Sequence, residues 1–479
     1  MNPWSPDKAW NEECGVFGAV GIPHAAEVTV LGLHALQHRG QESTGVVSCD
    51  ETGEFHVHKG IGLVSDVYRD SNLASLSGQF AIGHNRYSTA GGLTLENTQP
   101  LRVVYRGGAL ALAHNGNLTN ARELRQGLEE SGSIFQTTLD TEIFLHLVAL
   151  SSTDVVEDAL AEAVRQVAGA YSMVVLTRGS VIALRDPHGF RPLCLGRLGD
   201  GYVVASETCA LDLVGADFLR EVEPGEMVTL DPQGMRSRQV LPPAQPLQHC
   251  VFEHIYFSRP DSRVFGVGVD SVRRRLGHQL AREHPADADV VIAVPDSSNS
   301  IALGYSEESG IRYELGLIRN HYVGRTFIQP HQAGRDFGVR VKFNPVREVL
   351  DGRRVVVVDD SIVRGTTSRK LIRLLRRAGA REVHFRVGSP PVTHPCFYGI
   401  DTPSRRELIG ALKSVEEIRE FLGVDSLGYL SLEGMMACEA DSRRFCRACF
   451  TGQYPVPVDP TASKLSIEKL HNAPSGAGR

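Results

Sequence analysis

A chain of 479 residues and 52.2 kDa has room for two to four domains at about 150 residues each. Hydrophobic residues make up 42% and charged residues 22%, an ordinary globular balance, and a net charge of −6 lacks the basic excess of a general nucleic-acid binder. No apolar run approaches the ~18 residues that span a bilayer, the opening MNPWSPDKAWNEE lacks the apolar core of a secretory signal, and nine cysteines are too few to scaffold a chain this long, which points to a cytoplasmic multidomain enzyme with reduced thiols.

In chain order, Gly15 to Val20 reads as a short strand, followed by a Gly-Ile-Pro turn and an apolar segment. From residue 80 onward, FAIGH, ALALAHNGN, AYSMVVLTRGSVIALRD and GYVVASE are short apolar runs between Gly and Asn turns. Such spacing predicts strands packed as layers. Two helices interrupt them, one over Leu118–Ser131 and one from near Asp140 through TEIFLHLVALS, with Ile143, Leu147 and Leu150 on one face. QVLPPAQPLQ (239–248) carries three prolines and reads as a linker. Beyond it strands alternate with helices: DVVIAVPD (289–296), ELGLI (314–318), RRVVVVDD (353–360) before a helix from about Thr367 to Ala378, then VHFRVGSPP. This pattern predicts an α/β domain with a parallel sheet. The tail from Ser463 looks weakly ordered.

Cys14 opens the first strand in EECGVFGAVG, and HRGQES (38–43), GHNRYSTAG (83–91), AHNGNLTN (113–120) and QTTLDTE (136–142) follow in order. Alone, Cys14 would pass for a core cysteine, Asp140 for a helix cap and Asn115–Gly116 for a turn. Together these segments resemble the N-terminal-nucleophile glutamine amidotransferases over roughly residues 14–240. The resemblance implies an αββα layered sandwich and removal of residues 1–13 as a propeptide. The freed Cys14 would supply both thiol and α-amine, whose pKa values near ~8.5 and ~8 allow cheap proton transfer. It further implies Arg86 on the glutamine carboxylate, Asp140 on its ammonium, and Asn115 and Gly116 as an oxyanion hole.

VVVVDDSIVRGTTS (355–368) delivers two carboxylates from a buried strand into a small-residue loop and a helix start. Ligands of parallel sheets lie beyond such strand ends, and helix N-termini receive phosphates. No Gly-Lys dipeptide occurs, so this is not a Walker A loop. The segment resembles the signature of type I phosphoribosyltransferases. That implies phosphoribosyl pyrophosphate on Asp359, Asp360, Ser361, Arg364, Gly365, Thr366 and Thr367, and Mg²⁺ on Ser297, Asp359 and Asp360. VPDSSNSIALG (294–304) matches the pyrophosphate loop, with Ser297. The long segment 319–345 carries Arg319, Arg325, Arg335, Arg340 and Lys342 against Asp336 alone, as a lid over pyrophosphate requires. Family matching makes Tyr322 and Lys342 its contacts.

From about Asn11 to Pro455 the chain resembles the glutamine phosphoribosylpyrophosphate amidotransferases. The resemblance implies formation of 5-phosphoribosylamine, glutamate and pyrophosphate at the entry to purine synthesis, a phosphoribosyltransferase domain over 249–462, homotetramers and inhibition by purine nucleotides. By spacing, Cys446 and Cys449 could serve zinc, an iron–sulfur cluster or a redox dithiol. The contexts of Cys250, Cys396, Cys446 and Cys449 resemble the branch with a [4Fe–4S] cluster, and Cys438 could substitute for one of them. Cys49, Cys194 and Cys209 read as packing. Two competing readings remain: an amidotransferase feeding a hexose phosphate, which would use a different second domain, and a purine-sensing regulator, which would not need the Cys14 set.

Overall fold

The computed structural model describes residues 14–87, 94–320, 342–402 and 404–458. The predicted leader, Tyr322 and most of the predicted lid, and the tail lie outside them.

The first half is a layered sandwich. One sheet has seven antiparallel strands in the order Asp217–Glu221, Cys194–Leu198, Gly201–Ala205, Gly15–Val20, Phe80–Arg86, Ser43–Cys49, Phe55–Ile61. The other has six antiparallel strands, with Gly108–Leu118 between Leu101–Tyr105 and Gly169–Leu176. Alternation along the first strand explains the layering. Val16 and Val20 enter the core between the sheets with Ala111, Ala113 and Val174. Phe17 and Ala19 face outward and pack under helices Ala25–Ala35 and Thr208–Val214. Helices Thr141–Leu150 and Val156–Val164 cover the second sheet. The helix predicted from Leu118 begins only at Ala121. Leu118 instead closes its strand, paired with Gly169. Of the three residues predicted on one face, Ile143 and Leu147 are buried and Leu150 is exposed at the helix end.

The second half carries four parallel strands in the order Val290–Ala293, Arg354–Asp359, Glu382–Val387, Ser426–Tyr429. Val355 to Val358 are completely buried because helices cover both faces. Helices Val269–Glu283 and Asn299–Ser309 pack on one face and Thr366–Arg377 on the other. The strand predicted at 314–318 does not join this sheet. Leu317–Arg319 pairs with Phe343–Pro345 as a separate ribbon, and only Tyr313 bridges to Val291. No helix of the described residues is long and apolar enough to cross a membrane.

Candidate active site

Cys14 lies buried at the start of strand Gly15–Val20, its thiol 3.5 Å from the Tyr87 carbonyl. The neighbouring strand pairs Asn85 with Gly15, so register sets the fully buried Arg86 beside Cys14. Across the sandwich, the strand Gly108–Leu118 carries Asn115 and Gly116. Asn115 is buried, and its Nδ2 has no partner among the described residues. An unpaired buried donor costs about 1–3 kcal/mol. An anionic ligand would offset that cost, which suits an oxyanion hole. Gly116 has φ +150°, and a Cβ there would stand 2.0 Å from the Ala170 carbonyl oxygen, so no side chain fits. Asp140 is tied to the same strand: its Oδ2 accepts the Leu118 amide at 2.8 Å and its Oδ1 stands 3.7 Å from His114 Nδ1.

In the second half, Asp359 and Asp360 leave the C-terminal end of their strand. Burial, and next the Asp360 charge, push Asp359 well above the usual carboxylate range. Burial raises Asp360 too, against hydrogen bonds from Ser297 and Ser361 and the charge of Arg273. Ser297 donates to Asp360 at 2.5 Å, Ser361 to its other oxygen at 2.6 Å, and Ser298 to Asp359 at 3.3 Å. Two crowded carboxylates with hydroxyls beside them are a hard oxygen donor set that fits Mg²⁺. The loop then turns through Arg364, held by Glu407 at 2.9 Å, and Gly365 at φ +72° into helix Thr366–Arg377. The helix start, a position suited to a phosphate, and the carboxylate pair therefore share one edge. The pyrophosphate-loop match closes the opposite side, with Arg319 bonded to Asp296 at 2.6 Å. Lys342 is exposed beside that ribbon, and its carbonyl accepts the Asn320 amide.

Four cysteines converge in the second half, beside the strand that carries Gly116, where Asn117 donates to the Phe397 carbonyl at 3.0 Å. Cys250 and Cys446 are partners in a short parallel ladder. The Cys449 carbonyl accepts the Thr393 and His394 amides, bringing up Cys396, whose sulfur accepts the Tyr398 amide at 3.3 Å. Burial pushes Cys446 to about 12. Burial also raises Cys449 well above its ordinary value, and the neighbouring Cys446, Cys250 and Cys396 add to it. Thiols so crowded suit a cationic group that keeps them as thiolates, and four sulfurs fit an iron–sulfur cluster. Cys438 stands apart, its thiol on the Gly434 carbonyl and its charged neighbours Glu439, Arg275, Glu283 and Arg282. Cys194 and Cys209 are buried packing residues of the first half, and Cys49 is buried in its inter-sheet core.

A buried ionic cluster between the halves has no counterpart in the sequence reading. The fully buried Arg39 donates from Nε to the Cys14 carbonyl at 3.0 Å, and from its other nitrogens to Glu207 at 2.6 Å and to Glu253 at 2.7 and 3.0 Å. Glu207 also accepts from His38, Ser262 and the Arg259 amide. Burial alone would raise its carboxyl, but His38 and Arg39 outweigh that and hold it at about 2. His38, Glu207 and Cys209 also lie within 4.8 Å of one another, yet those hydrogen bonds already use the Glu207 oxygens, which disfavours an ion there. Arg39 falls inside the HRGQES segment, but nothing local in sequence pairs it with Glu253, 214 residues away.

Comparison with known proteins agrees with both halves. A glutamine amidotransferase domain model matches residues 84–213. The chain is 54% identical to amidophosphoribosyltransferase 1, chloroplastic, of Arabidopsis thaliana over 96% of its length and 81% of that protein. It is 52% identical to the amidophosphoribosyltransferase of Bacillus subtilis over 94% and 96%. A solved structure described as the allosteric regulatory enzyme of purine biosynthesis superposes with a TM-score of 0.90 at 51% identity, covering 94% of this chain and 98% of that one. The B. subtilis glutamine phosphoribosylpyrophosphate amidotransferase complexed with ADP and GMP superposes with a TM-score of 0.88 at 51% identity, covering 94% and 99%. The chain belongs to the amidophosphoribosyltransferase family, glutamine-dependent transferases of the first step in purine biosynthesis.

Proposed function

We propose that this chain hydrolyses glutamine at Cys14 and passes the ammonia within the protein to phosphoribosyl pyrophosphate, forming 5-phosphoribosylamine, glutamate and pyrophosphate. The observation that carries the reading is the buried Asn115 Nδ2, unpaired among the described residues, on the strand facing Cys14, in a chain that also holds the Asp359–Asp360 pair. In the amidotransferase domain, residues 14–240, Arg86 and Asp140 orient glutamine by its carboxylate and ammonium. The Cys14 amine, freed by loss of residues 1–13, takes the thiol proton. Asn115 Nδ2 and the Gly116 amide receive the developing oxyanion.

In the transferase domain, residues 249–462, Ser361, Arg364, Gly365, Thr366 and Thr367 hold the 5-phosphate, and Asp359 and Asp360 the ribose hydroxyls. Mg²⁺ on Ser297, Asp359 and Asp360 would supply charge neutralisation of the leaving pyrophosphate. Tyr322 and Lys342 close over it. Cys250, Cys396, Cys446 and Cys449 would hold a [4Fe–4S] cluster that ties the C-terminal segment to the transferase domain, with Cys438 outside the ligand set. Purine nucleotides are the expected inhibitors, as the complexed relative suggests. A cytoplasmic homotetramer is the expected form.

Cys14→Ala tests the division of labour. It should abolish glutamine-dependent synthesis and keep synthesis from added ammonium. Retained glutamine-dependent synthesis overturns the reading. Iron analysis and an absorption spectrum of the same anaerobic preparation test the cluster: stoichiometric zinc without iron excludes it.

A further inference from the structure

We propose that Arg39 and Glu253 are positioning residues for glutamine cleavage, through which the phosphoribosyl half fixes the main chain of the nucleophile; the proposal rests on Cys14 being that nucleophile. Arg39 belongs to the first half and Glu253 to the second. Their side chains meet in a fork of two bonds, at 2.7 and 3.0 Å, with no exposure on either. The Arg39 Nε reaches Cys14 itself, at its carbonyl oxygen. Glu253 is held in turn by Ser258 Oγ at 2.6 Å and by Arg191, also fully buried, at 3.4 Å. Arg39 and Arg191 balance Glu207 and Glu253, so these four side chains sum to zero charge. A buried ionic group of this kind contributes little net stability but fixes geometry tightly.

The second half also fixes Glu253 from behind. It begins the turn Glu253–Phe257, and Arg273 clamps that turn through the His254 and Ser258 carbonyls at 2.8 Å each. Burial draws Arg273 down to about 10, and the charge of Asp360 opposes that fall. Glu253 is therefore anchored to the second half through helix Val269–Glu283, which carries Arg273. Arg191 adds a branch: it donates to the Tyr398 carbonyl at 2.9 and 3.1 Å, two residues past Cys396.

The test uses the full-length matured enzyme. Glu253→Gln keeps the side-chain length and removes the charge that orients Arg39. Glutamine-dependent kcat should fall about tenfold or more, with the glutamine KM within about threefold, because Arg86 and Asp140 are untouched. Ammonium-dependent synthesis should stay within about twofold. A Glu253 that merely supported its own half would lower the ammonium reaction as well, so equal loss of both, or an unchanged glutamine kcat, overturns the proposal. Arg39→Lys carries the same criteria if Glu253→Gln does not accumulate: lysine keeps the charge but cannot fork to two carboxylates and a carbonyl. Cys14→Ala run in parallel separates the two failures. If it retains glutamine-dependent synthesis, the nucleophile reading fails; if it loses that activity and Glu253→Gln does not, only the positioning role fails.

Discussion

His84 sits one strand from Cys14 with its Nε2 on the His114 carbonyl at 3.2 Å and its Nδ1 without a partner among the described residues. Burial above all, then the charges of Arg86 and His114, lower it from 6.5 to about 3. In the unfolded chain this imidazole binds a proton below about 6.5; in the folded chain it refuses one until about 3. The unfolded state therefore holds more protons in that window, and stability falls as pH drops through it. His84→Gln should flatten the acid side of the stability profile by up to one proton, read as urea midpoints between pH 7 and 4. A slope equal to that of the parent would mean that His84 titrates normally.

Helices Val269–Glu283 and Asn299–Ser309 cross at two glycines. A Cβ on Gly277 would stand 2.0 Å from the Ile301 carbonyl oxygen, and one on Gly304 would stand 2.1 Å from that of Arg274. Backbone cannot yield there as a side chain could, so Gly304→Ala must push the second helix outward, at a cost of about 1–3 kcal/mol or more. That helix starts directly after Ser297 and Ser298, which bond the Asp359–Asp360 pair. Ammonium-dependent synthesis should fall and the KM for phosphoribosyl pyrophosphate rise, while basal glutaminase persists. An unchanged KM would show that the loop tolerates the shift. Elements whose signal is local were readable from sequence. The run VVVVDD is buried on both faces and admits no other element, and its loop and helix follow at once. The strand at 314–318 was misread because an apolar run carries no information about its partner. Leu118 was misread because its Asn-Gly neighbours signal a turn, whereas Gly116 here continues a strand at a φ that only glycine accepts readily.

Across the whole molecule, legibility follows sequence separation. Residues such as Asp359, Asp360 and Ser361 stand side by side in the chain, and Cys14, Arg86, Asn115 and Asp140 were recoverable only because their surrounding segments resembled a family. The contacts between Arg39 and Glu253, and between Asn117 and the Phe397 carbonyl, join residues 214 and 280 positions apart, and no periodicity announces them. A different whole-chain property is written openly in the sequence: its two tryptophans, Trp4 and Trp10, both precede Cys14. While residue 13 acylates Cys14, the nitrogen is an amide and cannot serve as a base. If the proposed cleavage frees it, the mature enzyme contains no tryptophan. Its fluorescence should be that of tyrosine alone, and its N-terminal sequence should read Cys-Gly-Val-Phe. Emission should change from tryptophan-dominated to tyrosine-only in step with the appearance of glutamine-dependent synthesis, while ammonium-dependent synthesis, which needs no free amine at Cys14, precedes it. A homogeneous preparation with full glutamine-dependent activity that keeps Trp4 and Trp10 covalently attached would remove the Cys14 amine from the mechanism.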